Sequence, residues 1–204
     1  MRILIACEYS GTVRDAFLKQ GHYAMSCDIL PCESSASGDH YQGNVMDILD
    51  HDWDMMIAHP PCTHLAVSGA KHFSKKIEDG RQQAALDFVQ TLMDAPISRI
   101  CVENLVSIIS TRIRKPDQII QPWQFGDQAQ KTTCLWLKNL PLLTPTKIVD
   151  KGKFYVSPSG KRLPAWYGDA SVDGKKLAYG SEAMKKIRST TFPGIADAMA
   201  RQWG

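Results

Sequence analysis

Short apolar runs closed by turn residues recur along the chain, separated by stretches with helical spacing. Residues 2–7 (RILIAC) read as a buried strand. Residues 11–21 (GTVRDAFLKQG) then set Val13, Phe17 and Leu18 on one side of a helix that stops at Gly21. A second strand, 22–29, ends on Asp28. A polar loop over 31–44 leads to VMDIL, and 53–59 (WDMMIAH) is the next strand. Within 78–95, Ala85, Phe88, Val89 and Leu92 recur at helical spacing. Residues 98–104 (SRICVEN) predict another buried strand with a short helix after it to about Arg114. Residues 131–138 (KTTCLWLK) predict a late strand, and 191–204 a closing helix with Pro193 near its first turn.

Strands alternating with helices define an α/β fold with a mostly parallel sheet, right-handed crossovers and helices on both faces. Ligands of such sheets bind at the carboxyl ends of the strands. Those ends carry Glu8 and Ser10, Asp28, Cys62, and Glu103 with Asn104. A fold concerned with stability alone has no reason to put acids and a thiol there.

The segment 57–69, IAHPPCTHLAVSG, sharpens this picture. Pro60 and Pro61 cannot donate to a ladder and force an extended path, so the strand ends and Cys62 is held out on a stiff loop. That position suits a nucleophile. The six cysteines include no CxxC pair, which argues against a zinc ribbon or a disulfide framework. Cys7, Cys27, Cys101 and Cys134 lie in apolar runs and read as core thiols. His59, His64 and His72 surround the Cys62 loop at a spacing that fits no usual metal site, so no metal is expected. No apolar run reaches membrane-span length and the N-terminus does not read as a signal peptide, so a cytoplasmic protein without membrane contact is expected.

The overall charge of +3 is uninformative, but its distribution is not. Residues 141–188 hold ten Lys/Arg against four acids, with Phe154, Tyr155, Trp166, Tyr167 and Tyr179 interleaved. Phosphate contact and base stacking need such a stretch. A solvated excursion whose aromatics cover the core is the plainer alternative.

In order along the chain, these motifs resemble the DNA cytosine-5 methyltransferases. Pro60-Pro61-Cys62 with Ser68-Gly69 fits the family's nucleophile loop, with Thr63 and Leu65 in place of its Gln and Phe. Glu103-Asn104-Leu105 looks like its Glu-Asn-Val, and Met46-Asp47-Ile48 like its Gly-Asp-Ile. Tyr9 and Gly11 match half of its opening Phe-x-Gly-x-Gly, with Val13 at the second Gly. FGDQAQKTT keeps Phe125-Gly126 of another motif, with Lys131 and Thr133 where the family has two arginines. FPGIADAMA resembles the terminal Val-Pro helix.

The resemblance implies transfer of a methyl group from S-adenosylmethionine (SAM) to carbon 5 of a cytosine in DNA, flipped out or single-stranded. Cys62 would be a thiolate with a lowered pKa, adding to carbon 6. Glu103, its pKa raised in a dry pocket, would meet ring N3. Asn104 would hold the loop, and Lys131 would assist without the fork of an Arg. The resemblance also implies cofactor contacts at Glu8, Tyr9, Ser10, Gly11, Asp28, Ile29, Asp47 and Pro60. Gly11 would allow close backbone approach, Asp28 would accept from the ribose and Asp47 would meet the adenine amino group. His59 stands where the family has a small residue and would narrow the pocket. The expected organisation is a core over 1–140, a small basic insertion over 141–188 in place of a target-recognition domain, and a closing helix in 189–204. So short an insertion reads few base pairs, leaving recognition to a short target, a partner protein or self-association. Two other classes stay open: a catalytically inactive DNA-binding or decoy protein, and an enzyme acting on free cytosine nucleotides or RNA.

Overall fold

The computed structural model describes residues 1–156, 160, 162–164, 171–172, 175–176, 181 and 188–204. Along the chain run β1 (Arg2–Ala6), α1 (Thr12–Lys19), β2 (Tyr23–Asp28), β3 (Asp39–Gln42) and β4 (Met55–Ala58). Then follow α2 (Phe73–Glu78), α3 (Arg81–Met93), β5 (Arg99–Leu105), α4 (Ile109–Arg112), β6 (Gln118–Ile120) and β7 (Thr133–Lys138). A C-terminal helix spans Pro193–Trp203. Seven strands form one sheet in the order β3-β2-β1-β4-β5-β7-β6. The first five are mutually parallel, and β7 runs antiparallel between β5 and β6. No helix among the described residues is long and apolar enough to cross a membrane.

Both faces of the sheet are covered, which is why its central strands are apolar throughout rather than alternating. On one face Leu86, Val89 and Leu92 of α3 pack on Leu4, Met56, Val102 and Trp136. On the other, Val13 and Phe17 of α1 join Ile195, Met199 and Trp203 over Ile3, Ile5, Ile57 and Leu135. The sequence reading therefore holds for the fold class and for the five strands it predicted, β1, β2, β4, β5 and β7. It did not anticipate β3 or β6, nor the short 3-10 and α-helical segments in 67–78 that follow the Cys62 loop.

The antiparallel β7 matters for the site. Its register sets Asn104 opposite Cys134 and Leu105 opposite Thr133, so the start of β7 lies beside the carboxyl end of β5. Lys131 and Thr133 thus come to the same edge as Glu103. The C-terminal helix is locked against the approach to β7 at Gly194, whose N–H donates to Asp127 Oδ2 at 2.9 Å. A methyl at position 194 would meet Phe125 O at 2.0 Å and Asp127 Oδ2 at 2.7 Å. Gly194→Ala must push the helix away, and about 1–3 kcal/mol of stability should be lost in a urea titration.

Residues 141–149 stay on this core. Gln118 and Leu143 exchange two hydrogen bonds, Trp203 Nε1 donates to Pro141 O, and Val149 N donates to Trp123 O. Beyond them two small hairpins pair Phe154–Val156 with Arg162–Pro164 and Ser171–Val172 with Lys175–Lys176. Lys151 lies over the Trp123 ring and Arg162 over Phe154. Lys161, Trp166, Tyr167, Tyr179, Lys185 and Lys186, on which the stacking expectation also rested, lie outside the described residues.

Candidate active site at the carboxyl edge of the sheet

The chain leaves β4 through His59, whose N–H still donates to Ala6 O, and then enters Pro60-Pro61-Cys62. Cys62 is half-buried at the head of a tight turn, its carbonyl accepting from Leu65 N and Ala66 N. Leu65, fully buried, anchors the turn in the core. Backbone bonds from Val67 N to Val106 O and from Ile108 N to Leu65 O clamp the loop to the chain after β5. Lys76 of α2 reaches back to Thr63 O. The stiff loop expected from two prolines is therefore held on three sides.

Asn104 Nδ2 donates to Pro60 O at 2.8 Å, a buried bond that ties the loop to β5. Glu103, one residue earlier on the strand, accepts from His59 Nδ1 at 2.8 Å. Lys131 is buried, and its Nζ donates to Thr190 O. Glu103, Lys131, Thr133, Thr191, Phe192 and Ile195 line one small cavity. A larger groove of about 610 Å³, by Gln90, Asp94, Arg114 and Trp136, contains none of these residues. The four residues expected to do chemistry, Cys62, Glu103, Asn104 and Lys131, are thus brought to one edge.

Their electrostatics correct two expectations. Burial pushes the Cys62 thiol up rather than down, and the Glu103 charge adds to this; Lys131 and Arg188 only partly offset it. Burial also raises Glu103, yet the His59 hydrogen bond and the Lys131 charge outweigh it and hold the carboxyl below its usual value. Sequence reasoning supplied the dry pocket but not the donor inside it. The resting site is accordingly a thiol beside a carboxylate.

The β1–α1 turn is held together by its own side chains. Glu8 accepts from Val13 N at 2.7 Å, Arg14 N at 3.2 Å and Ser10 Oγ at 3.3 Å, so its carboxylate satisfies the first amides of α1. Gly11 has φ +73°, and a methyl there would lie 2.6 Å from Ser34 Cβ. The group that approaches Gly11 closely is the chain's own 29–38 loop, which also bonds through Glu33 N to Tyr9 O. Beneath that loop Arg14 is fully buried, donating to Ser26, Cys32, Gly38 and Asp15. Its second terminal nitrogen sits 2.7 Å from Asp15 Oδ1 but outside hydrogen-bond geometry. An arginine inside an otherwise ordinary amphipathic helix gave no sequence signal of this role.

Among the other expected cofactor residues, Asp28 ends β2 with Oδ1 accepting from Leu30 N, and Ile29 beside it is 75% exposed. Asp47 sits in a 3-10 turn capped by Asn44 and accepts from Tyr41 Oη. Tyr9 Oη bonds Ser189 Oγ at 2.8 Å. This contact joins the first turn to the segment that also meets Lys131. Cys7, the residue leaving β1, has φ +59°, a conformation uncommon outside glycine. Its thiol is pushed up to about 12, by burial first and then by Asp28 and Cys27.

No family model matches the sequence, and no curated protein does. Solved structures do match, among them the following two. One, encoded in an E. coli prophage and assigned as a DNA modification methyltransferase, has a TM-score of 0.46 at 15% identity. The match covers 84% of this chain and 56% of that one. The other, a triple mutant of DNMT2 from Spodoptera frugiperda, has a TM-score of 0.43 at 15% identity over 73% and 54%. The chain thus spans just over half the length of either. Fold and site together define a doubly wound α/β protein with a cysteine–carboxylate site at the carboxyl edge of its sheet.

Proposed function

We propose that the chain transfers a methyl group from SAM to carbon 5 of cytosine in DNA, through a covalent bond between Cys62 and carbon 6. The observation that carries this reading is the convergence of Cys62, Glu103, Asn104 and Lys131 on one edge, with Asn104 Nδ2 fastened to Pro60 O at 2.8 Å. Cytosine carbon 5 is a poor nucleophile. Addition of a thiolate at carbon 6 turns it into an enamine carbon, provided that an acid meets N3 as negative charge gathers there.

The residues present suit SAM. Asp28 has a carboxylate oxygen that accepts from none of the described residues, and the exposed Ile29 beside it offers an apolar face for the adenosine. Asp47 adds a second acceptor near Tyr41. Glu8 and Gly11 would act through the shape of the turn, with Tyr9, Ser10 and Pro60 bordering the methionine end. When bound, SAM supplies an electrophilic methyl group.

The chain's own residues do the rest. Cys62 gives its proton to water, helped by the positive potential of Lys131 and Arg188, which partly offsets the burial and the Glu103 charge that raise the thiol. Glu103, a carboxylate at rest, takes up a proton and presents it to N3. Asn104 keeps the loop seated on β5. Once the methyl is in place, transfer of the carbon 5 proton to water restores the C5–C6 double bond and expels the Cys62 thiolate. The basic stretch that leaves the core after Val149 would follow the phosphates, with little surface for sequence reading.

DNA containing 5-fluorocytosine tests the reading, because fluorine at carbon 5 cannot leave as a proton does. With SAM present, a protein–DNA adduct stable to denaturation is expected, its mass increase mapping to Cys62. No adduct with DNA, but one with RNA or free nucleotide, would move the substrate; no adduct with any of them would overturn the covalent mechanism.

A further inference from the structure

His59 stands directly before the two prolines, and its ring is placed by the sheet, since its N–H continues the β1–β4 ladder to Ala6 O. Nδ1 lies 2.8 Å from Glu103 Oε2, and the two side chains are only 10% and 9% exposed. Nε2 is buried and bonds to none of the described residues. A buried imidazole with one nitrogen on a carboxylate and the other unclaimed costs free energy unless the second nitrogen is used.

We propose that His59 is a positioning residue that holds the proton Glu103 delivers to the base, so that imidazole and carboxylate act as one acid with a single shared proton. This rests on the methyl-transfer reading above. As Cys62 Sγ bonds carbon 6, the His59 Nδ1 proton passes to the Glu103 carboxylate and Glu103 delivers it to N3, the ring keeping a proton on Nε2. When carbon 5 loses its proton to water and the C6–S bond breaks, N3 returns the shared proton to Glu103 and Glu103 returns it to His59. The pair is regenerated and no outside acid is consumed. The unclaimed Nε2 is the ring's second proton site and lets the pair recharge.

Charges facing the pair come from every neighbouring element. Lys131 approaches from before β7 and favours the carboxylate. The Cys62 thiol lies in the loop, with Arg188 acting on it from the C-terminal segment. Cys101 on β5 and Cys134 on β7 feel the Glu103 charge, but burial keeps both as neutral thiols. Among the described residues facing Glu103, His59 is the titratable side chain hydrogen-bonded to it.

His59→Asn separates proton holding from orientation, because the Asn amide N–H can replace the Nδ1 donor but cannot carry a proton. In single-turnover methyl transfer, the wild type should lose rate at alkaline pH as the pair gives up its proton. The variant should be about 10–100-fold slower at neutral pH, with that limb displaced by about one unit toward acid. Imidazole added to His59→Gly should restore part of the rate. An unchanged rate and profile in His59→Asn would overturn the proposal.

Nitrogen-15 NMR of the histidines gives a readout independent of activity. The His59 titration should move to lower pH in Glu103→Gln, and identical titrations would overturn the shared proton. A coupled titration in a protein that transfers no methyl group would instead locate the failure in the methyl-transfer reading, and the role assigned to His59 would fall with it.

Discussion

Cys62→Ala should abolish methyl transfer, by about 10⁴-fold or more, while the protein stays folded. The side chain is half-buried and the loop is fixed by other groups: Leu65 in the core, Asn104 on Pro60 O and the backbone clamp to 105–108. Removing one sulfur from such a place should cost no more than about 1 kcal/mol in a urea titration. The same residue sets a pH dependence. Its thiol is raised by burial and by Glu103, so the thiolate fraction, and alkylation by iodoacetamide, should increase with pH through and beyond the ordinary thiol range. Transfer should follow this increase only until the acid beside it is lost, giving a bell-shaped profile in the wild type. A Cys62→Ala protein with wild-type transfer would remove the nucleophile from the mechanism.

Glu103→Gln should have the second-largest effect, in opposite directions for two measurements. Methyl transfer should fall by about 10²–10⁴-fold, because an amide cannot hand a proton to N3. Cys62 should nevertheless become more reactive toward iodoacetamide at neutral pH. The Glu103 charge is second only to burial among the influences that raise the thiol, and the substitution deletes it. A variant merely disturbed in structure would lose transfer with no gain in thiol reactivity. Loss of both together would place Glu103 in the scaffold rather than in the chemistry.

These two effects depend on a relation between residues that the sequence displayed only in part. The positions of Cys62 and Glu103 were legible because β4 and the middle of β5 are buried on both faces and read as apolar runs, MMIA and ICV, that stop just before His59 and Glu103. The edge strands were not: β3 reads DHYQ and β6 only QII, and each takes its order from the neighbour it pairs with. Protonation states were the least legible. Burial alone predicts a raised Glu103, and nothing in the spacing of His59 and Glu103 announces that a 2.8 Å bond reverses it. Similarly, nothing in the sequence announced that Ser34 of the next loop packs beside Gly11, its Cβ 2.6 Å from where a methyl on Gly11 would lie.

The measurement that tests the central claim most directly is nucleoside mass spectrometry of DNA from cells expressing the wild type and, separately, Cys62→Ala. The expected result is 5-methylcytosine with the wild type and none above background with the variant. Equal amounts in both would contradict the covalent role of Cys62, and no modified cytosine in either would contradict DNA cytosine methylation as the activity.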